Sequence, residues 1–129
     1  MPDLRVCLVE GSRKKVSFCR EVVRHLGLRG VEVLQERGER IGGLPAYEDS
    51  FDWSVVRAVG RARDVLRICL PLLRPGGSAI LFKGALEGEE LRSLENEVDC
   101  RGASLRLLPV DLPYLQAPRV LAIVQKRST

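Results

Sequence analysis

The sequence predicts an α/β protein built on a parallel sheet. An apolar run at residues 51–59 leads into a helix over residues 63–73, and a second apolar run at residues 79–82 follows at once. Neither run alternates between apolar and polar residues, which is typical of parallel strands covered by helices on both faces. Because one strand, one helix and the next strand follow directly, the two strands are expected to be parallel.

The remaining elements follow from apolar periodicity and turn residues. Ser12 is a candidate N-cap for the first helix, and Gly27 is expected to stop it. The last two strands are joined by a short turn, so we expect an antiparallel hairpin at the sheet edge. The predicted elements are strand 4–9, helix 13–26, strand 31–35, a loop over 42–50, the central unit, helix 88–99, and strands 104–110 and 119–124.

Length and composition predict one soluble domain of 129 residues with a real core, because 45% of the residues are hydrophobic. The net charge of +4 is compatible with a polyanionic partner, although a preference for Arg codons explains it equally well. Four cysteines without a C-x-x-C pair and a single histidine favour reduced thiols over a metal site. No signal peptide or membrane span is visible, so a cytoplasmic protein without a membrane partner is expected.

Polar residues at strand ends are the candidate ligand contacts, because ligands of α/β sheets bind at the carboxyl ends of strands. Glu10 ends the first strand, where it could accept hydrogen bonds from a ribose diol or simply cap the next helix. Gly38 follows the second strand and permits close approach to a ligand, with Glu39 beside it. Arg57 ends the third strand and could hold an anionic group, or it could be an ordinary surface residue.

Basic residues on the first helix are candidate RNA contacts. Arg13, Arg20 and Arg24 share one face at helical spacing, which indicates either a phosphate-binding surface or a solvated face. Lys83, at the end of the strand over residues 79–82, is a fourth candidate. The sequence identifies no catalytic residue.

Four segments follow one another along nearly the whole chain: Leu8-Val9-Glu10-Gly11-Ser12-Arg13-Lys14-Lys15-Val16-Ser17-Phe18-Cys19-Arg20-Glu21-Val22, Val56-Arg57-Ala58-Val59, Leu81-Phe82-Lys83-Gly84, and a tail made of Val110-Asp111-Leu112-Pro113 and Arg119-Val120-Leu121-Ala122-Ile123-Val124-Gln125-Lys126. In this order they resemble the RsmG family, also called glucose-inhibited division protein B. The resemblance implies a class I S-adenosylmethionine (SAM) methyltransferase that modifies N7 of a guanine in 16S ribosomal RNA. It also implies that Gly38, Glu39 and Arg57 contact the cofactor and that the Glu10 carboxylate accepts hydrogen bonds from the ribose hydroxyls.

The resemblance begins at the family's second strand. We therefore expect a Rossmann-like sheet truncated before its second strand, with an antiparallel terminal hairpin, and a single partial domain over residues 1–129. The first strand and its glycine-rich SAM loop would come from a missing N-terminal half, or a homodimer would compensate for them. Because guanine N7 carries a free lone pair, the transfer needs alignment rather than a general base. The alternative function is a non-catalytic module that binds a partner chain or RNA. A dinucleotide-binding fold is a third possibility, which the terminal hairpin disfavours.

Overall fold

A computed structural model describes residues 4–41, 44–57, 61–110 and 119–128; at residues 38, 39 and 57 it describes the backbone alone. The chain divides into two compact units, Met1–Ile41 and Gly42–Thr129, which are called unit 1 and unit 2 below. The described strands form one sheet in each unit, with two strands in unit 1 and four in unit 2. The expectations of a single domain and of a truncated sheet stay predictions.

Unit 1 is a strand–helix–strand motif followed by one helical turn. Its elements are β1 (Val6–Glu10), α1 (Arg13–His25), β2 (Val31–Gln35) and α2 (Gly38–Ile41). The two strands are parallel, with Val6 opposite Val31 and Glu10 opposite Gln35. The positions of β1, α1 and β2 confirm the sequence prediction to within two residues at each end.

The ends of α1 explain why its bounds were predictable. The Ser12 hydroxyl accepts from the backbone N–H of Lys15 at 3.4 Å, as an N-cap does. Gly27 has a φ of 63°, and the Leu28 N–H donates to the Val23 carbonyl at 3.1 Å. This is the hydrogen-bond pattern of a Schellman motif, which favours glycine at the left-handed position. The 3-4 spacing of Val16, Cys19, Val23 and Leu26 predicts a buried stripe along the helix. For Leu26 this is wrong, because it is the C-cap residue and 63% exposed.

Unit 2 contains a four-stranded mixed sheet. Strand order is β3-β4-β6-β5, with β3 parallel to β4 and β6 antiparallel to both neighbours. The antiparallel terminal pair is therefore confirmed, with β6 inside the sheet and β5 at its edge. The elements are β3 (Phe51–Arg57), α3 (Ala62–Cys69), β4 (Leu73–Lys83), α4 (Gly88–Cys100), β5 (Ser104–Val110) and β6 (Arg119–Gln125), with short 3-10 turns at Pro45–Tyr47 and Leu70–Leu72.

One face of this sheet is covered by α3 and α4. Leu66 from α3 and Leu94 from α4 have no exposed surface, and both pack in one cluster with Leu81 of β4 and Ala122 of β6. Burial of these side chains supplies the main stabilisation of unit 2, because each large aliphatic side chain contributes about 1.5–3 kcal/mol.

The start of β4 differs from the sequence prediction. Residues 63–73 were expected to be one helix followed by a glycine turn, but α3 ends at Cys69 and β4 begins at Leu73. The helix ends early because Pro71 has no N–H to donate and its ring obstructs a further helical turn. Gly77 permits the path of β4, because a Cβ there would lie 3.0 Å from the carbonyl oxygens of Arg74 and Asp52. The glycine therefore lets β4 pass close to β3, where the pairing register shifts between Phe51 and Trp53. The predicted continuation of the central strand through residues 58 and 59 lies outside the described residues.

Candidate cofactor and RNA sites

The carboxyl ends of β1 and β2 form one edge within unit 1. The Glu36 N–H donates to the Glu10 carbonyl at 3.1 Å, so the chains that leave the two strands run side by side. A Cβ on Gly11 would lie 3.7 Å from Arg37 Cγ, in ordinary van der Waals contact. Gly38 begins α2 three residues after the end of β2. The fold therefore brings Glu10 and the start of α2 to the same edge, as the sequence predicts.

The Glu10 carboxylate lies half-buried at this edge. Its Oε1 accepts from the backbone N–H of Ser12, the residue that caps α1, at 3.1 Å. Oε2 meets no hydrogen-bond donor in the parts of the chain that the structure describes. One carboxylate oxygen is thus fixed by the protein, and the other can accept a hydrogen bond from a ligand hydroxyl. The ribose contact itself stays a prediction.

Three of the predicted cofactor contacts are known only by their backbone. Gly38 and Glu39 form the first half of α2 in unit 1, and Arg57 is the last residue of β3 in unit 2, in register with Phe82. Residues 58–60 lie outside the described part, so β3 is described as far as Arg57 and the strand-end position of Arg57 stays a prediction. The side-chain surroundings of these residues lie outside the described part, so their role in binding a cofactor stays a prediction.

The arginine face of α1 is exposed, as predicted. Arg20 donates to the Val33 carbonyl at 3.4 Å, which holds its guanidinium over β2. Arg24 forms an ion pair with Glu21 one turn earlier on the helix. Arg13 makes no ion pair with a described residue. The three side chains are available to solvent, and Arg24 is the one whose charge is already compensated.

Lys83 has a structural environment that the sequence analysis missed. Its Nζ lies 2.7 Å from Glu90 Oε2, and its side chain is 13% exposed. The same Glu90 oxygen accepts from the Ala62 N–H at 3.1 Å, which ties the first turn of α4 to the start of α3. These hydrogen bonds, chiefly the one from Lys83, hold the pKa of the Glu90 carboxyl below its ordinary value. A signal was present, since Lys83 continues the inward spacing of Ala79 and Leu81 along β4.

The described residues contain no group of three or more His, Cys, Asp or Glu side chains placed to hold a metal ion. Within the same segments, every helix is too short or too polar to cross a bilayer.

Comparison with known proteins identifies the family. The family model for rRNA small subunit methyltransferase G, GidB, matches residues 1–111. A relative from Moorella thermoacetica, named ribosomal RNA small subunit methyltransferase G, is 36% identical over 126 residues, which cover 97% of this chain and 52% of that protein. The chain spans about half the length of the curated relatives it matches.

Several solved structures share the fold of this chain, and some of them are named methyltransferases. A methyltransferase from Pyrococcus furiosus has a TM-score of 0.75 at 18% identity and matches 95% of this chain and 63% of its own. The M. jannaschii TYW2 structure, a complex with AdoMet, has a TM-score of 0.71 at 12% identity over 95% of this chain and 58% of its own. These likenesses confirm the predicted class I methyltransferase fold. Together with the family match, they establish that the chain belongs to the rRNA small subunit methyltransferase G family.

Proposed function

We propose that this chain carries part of the cofactor and RNA contacts of a SAM-dependent methyltransferase that modifies N7 of a guanine in 16S ribosomal RNA. Membership of the family and the methyltransferase fold support this activity. The observation that carries it is the Glu10 carboxylate, which lies at the carboxyl end of a parallel strand with one oxygen open to a ligand. That is where α/β sheets bind the ribose of a nucleoside cofactor. Such an enzyme works in the cytoplasm, where its RNA is assembled into ribosomes.

The nucleoside end of SAM is assigned to the strand edge of unit 1. Glu10 Oε2 would accept from a ribose hydroxyl, and the backbone at Gly38 would lie against the adenosine because glycine has no Cβ to obstruct it. Glu39 would present a polar group at the same edge. Arg57, in unit 2, is assigned separately to an anionic group of the cofactor or RNA, on the basis of its predicted strand-end position.

The RNA contact is assigned to the arginine face of α1. Arg13, Arg20 and Arg24 are exposed and lie within about three turns of one helix. Arginine forms bidentate hydrogen bonds with phosphate, so a row of three suits an RNA backbone. We leave Lys83 out of this surface, because its ammonium group is largely buried against Glu90.

Methyl transfer to guanine N7 requires no general base, because N7 already carries a free lone pair. With SAM bound, the N7 lone pair would take up the methyl group as the bond from that carbon to sulfur breaks and S-adenosylhomocysteine leaves. The residues that hold cofactor and base would then need only to align the two and exclude water. SAM supplies the methyl group when it is bound. This chain's own residues would orient the cofactor at Glu10 and position RNA along α1.

The proposal is tested by titrating SAM into the wild-type chain and into the Glu10→Gln variant in a calorimeter. Glutamine keeps an acceptor for the Ser12 N–H but loses the charge. The binding free energy is expected to weaken by about 1.5–3 kcal/mol, the cost of losing a hydrogen bond to a charged group. Glu21→Gln is the matched control, since Glu21 is an exposed acid on α1 that pairs with Arg24. An unchanged affinity in Glu10→Gln would remove Glu10 from the site.

Methyl transfer is tested separately with small-subunit RNA and SAM carrying a labelled methyl group. We expect slow turnover by the 129-residue chain and faster turnover when the portion of the Moorella thermoacetica relative that it does not match is added. Rapid N7 methylation by the chain alone would contradict this expectation.

The second candidate function is a non-catalytic module that binds another chain. It is favoured by the exposed apolar side chains of β3 and β4. This candidate would be selected if the RNA gains no labelled methyl group, either from the chain alone or from the chain with the added portion of the Moorella thermoacetica relative, while the two polypeptides still bind each other.

A further inference from the structure

The carboxyl edge of the unit 2 sheet is framed by two strands and by the starts of two helices. β3 is described as far as Arg57, which lies opposite Phe82 of β4, and Lys83 ends β4. Ala62 begins α3 five residues after Arg57, and Gly88 begins α4 five residues after Lys83. Because β3 and β4 are parallel, all four positions lie at the edge where α/β sheets bind their ligands. It is called the unit 2 edge below.

The start of α3 has no local cap. The residue before the helix is Arg61, whose side chain accepts no hydrogen bond from the first turn. The first N–H of the helix, that of Ala62, instead donates to Glu90 Oε2 at 3.1 Å, across 28 positions of the chain. In α1 the adjacent Ser12 caps the helix by accepting from the Lys15 N–H. Glu90 therefore satisfies, from another helix, one of the N–H groups that a helix start leaves without a partner.

The same carboxylate oxygen holds the end of β4. Glu90 Oε2 lies 2.7 Å from Lys83 Nζ, and the Lys83 side chain is 13% exposed. A local cap would stabilise α3 equally well, and an apolar residue at position 83 would avoid the cost of withdrawing a charge from water. Stability alone therefore explains this arrangement poorly. Its distinctive result is that one side chain of α4 ties the start of α3 to the end of β4.

We propose that Glu90 is a positioning residue of the methyl-transfer site, an inference that rests on the function proposed above. Its carboxylate holds the start of α3 against the end of β4 and thereby sets the geometry of the unit 2 edge, to which Arg57 is assigned as a ligand contact. Glu90 itself touches neither SAM nor RNA in this role. Methyl transfer requires cofactor and base to be aligned, and a misplacement of about 1 Å can slow such a step about a hundredfold. Loss of the tie should therefore slow transfer more than it weakens SAM binding, because the nucleoside of SAM is assigned to unit 1.

Two variants separate positioning from helix stability. Glu90→Ala removes both contacts, and Arg61→Ser combined with Glu90→Ala gives α3 a local cap. Each full chain is mixed with the unmatched portion of the Moorella thermoacetica relative, and transfer of the labelled methyl group to small-subunit RNA is measured at saturating SAM and RNA. The rate is expected to fall about tenfold or more in both variants, with the KM for SAM changed by less than about threefold. Urea unfolding should show that the double variant recovers part of the stability that Glu90→Ala loses.

Glu89→Ala and Arg61→Ser are the matched controls. Glu89 precedes Glu90 in the first turn of α4, but it is 85% exposed and pairs with Arg92. Arg61→Ser adds the local cap while Glu90 keeps both of its contacts. Both controls are expected to transfer at the wild-type rate, and far-ultraviolet circular dichroism checks that every variant folds. If Glu90→Ala fails to fold, Glu90→Asp takes its place with the same expected direction, because it keeps the charge but withdraws the carboxylate by one methylene.

Three results would overturn the inference. Recovery of the wild-type rate in the double variant would reduce Glu90 to a helix cap. An equal slowing in Arg61→Ser alone would assign the effect to the charge of Arg61. An unchanged rate in Glu90→Ala at saturating SAM would show that the tie does not act on the transfer site. In all three the wild-type mixture transfers methyl groups, whereas an inactive wild-type mixture would refute the proposed function, and this inference with it.

Discussion

Replacing Glu90 with glutamine is expected to lower the free energy of unfolding of unit 2 by about 1.5–3 kcal/mol, the range for hydrogen bonds to charged groups. Glu90 Oε2 lies 2.7 Å from Lys83 Nζ and accepts from the Ala62 N–H at 3.1 Å. Glutamine keeps an oxygen for the Ala62 N–H but leaves the ammonium group of Lys83 without its carboxylate. That group is largely withdrawn from water, so solvent compensates little for the loss.

The assay is urea unfolding followed by Trp53 fluorescence, which reports on unit 2 because the chain's only tryptophan lies in β3. Glu89→Gln is the matched control, since Glu89 and Glu90 both lie in the first turn of α4 and feel the same helix dipole. Glu89 pairs with Arg92 at 3.0 Å, but its side chain is 85% exposed. Its replacement should cost about 0–1 kcal/mol, as for other surface ion pairs.

The pH dependence gives an independent check. The pKa of Glu90 is held below its ordinary value of 4.5, chiefly by the hydrogen bond from Lys83. A carboxyl whose pKa is lowered on folding contributes stability above its unfolded pKa and loses it as the pH falls through the folded pKa. The difference between wild type and Glu90→Gln should therefore narrow below pH 4.5. Two results would refute the reasoning. One is an equal loss of unfolding free energy in Glu90→Gln and Glu89→Gln at neutral pH. The other is a difference between wild type and Glu90→Gln that stays the same below pH 4.5.

Three further predictions concern the core and the thiols of unit 2. Gly77→Ala should destabilise unit 2 by about 1–3 kcal/mol in urea unfolding, because the added methyl group would crowd three backbone carbonyl oxygens at 3.0–3.1 Å. Leu66→Ala should cost about 2–5 kcal/mol by the same measurement, whereas Leu107→Ala on the exposed edge should cost much less. In thiol labelling at pH 8, the exposed Cys100 should react at once. Cys69 should react only on unfolding, because it is buried and burial raises the pKa of its thiol. Rapid labelling of Cys69 in the folded chain would contradict the packing of α3.

The sequence predicted those elements whose ends depend on local chemistry. Ser12 and Gly27 bound α1 because a hydroxyl caps the first turn and glycine adopts the left-handed conformation after the last. β2 and β5 lie where apolar runs meet turn residues, and both were predicted at their observed bounds. Such signals act within a few residues, so they can be read from one sequence.

Features set by distant parts of the chain were harder to predict. Pro75, Gly76 and Gly77 look like a turn, yet they lie within β4, in the irregular stretch between its pairs with Phe51 and Trp53. Gly76 and Gly77 instead share backbone hydrogen bonds with Lys126, just after β6. The pairing of Lys83 with Glu90 joins residues on different elements, although the inward spacing of Lys83 hinted at burial. Of the candidate site, the sequence correctly predicted that Glu10 ends β1, and the ligand of Glu10 is left to experiment.

The position of β6 inside its sheet sets the order in which unit 2 can fold during synthesis. Although β6 is made after the other described strands, it lies between β4 and β5 and pairs with both. The ribosome must therefore release the chain up to residue 125 before all four strands can pair. Until then, β3, β4 and the covering helices leave part of their apolar surface exposed. Unit 1 pairs strands only 25 residues apart, Val6 with Val31, so it can form while unit 2 is still being translated. Loss of β6 would leave β5 with no strand to pair with, whereas loss of β5 would remove only an edge.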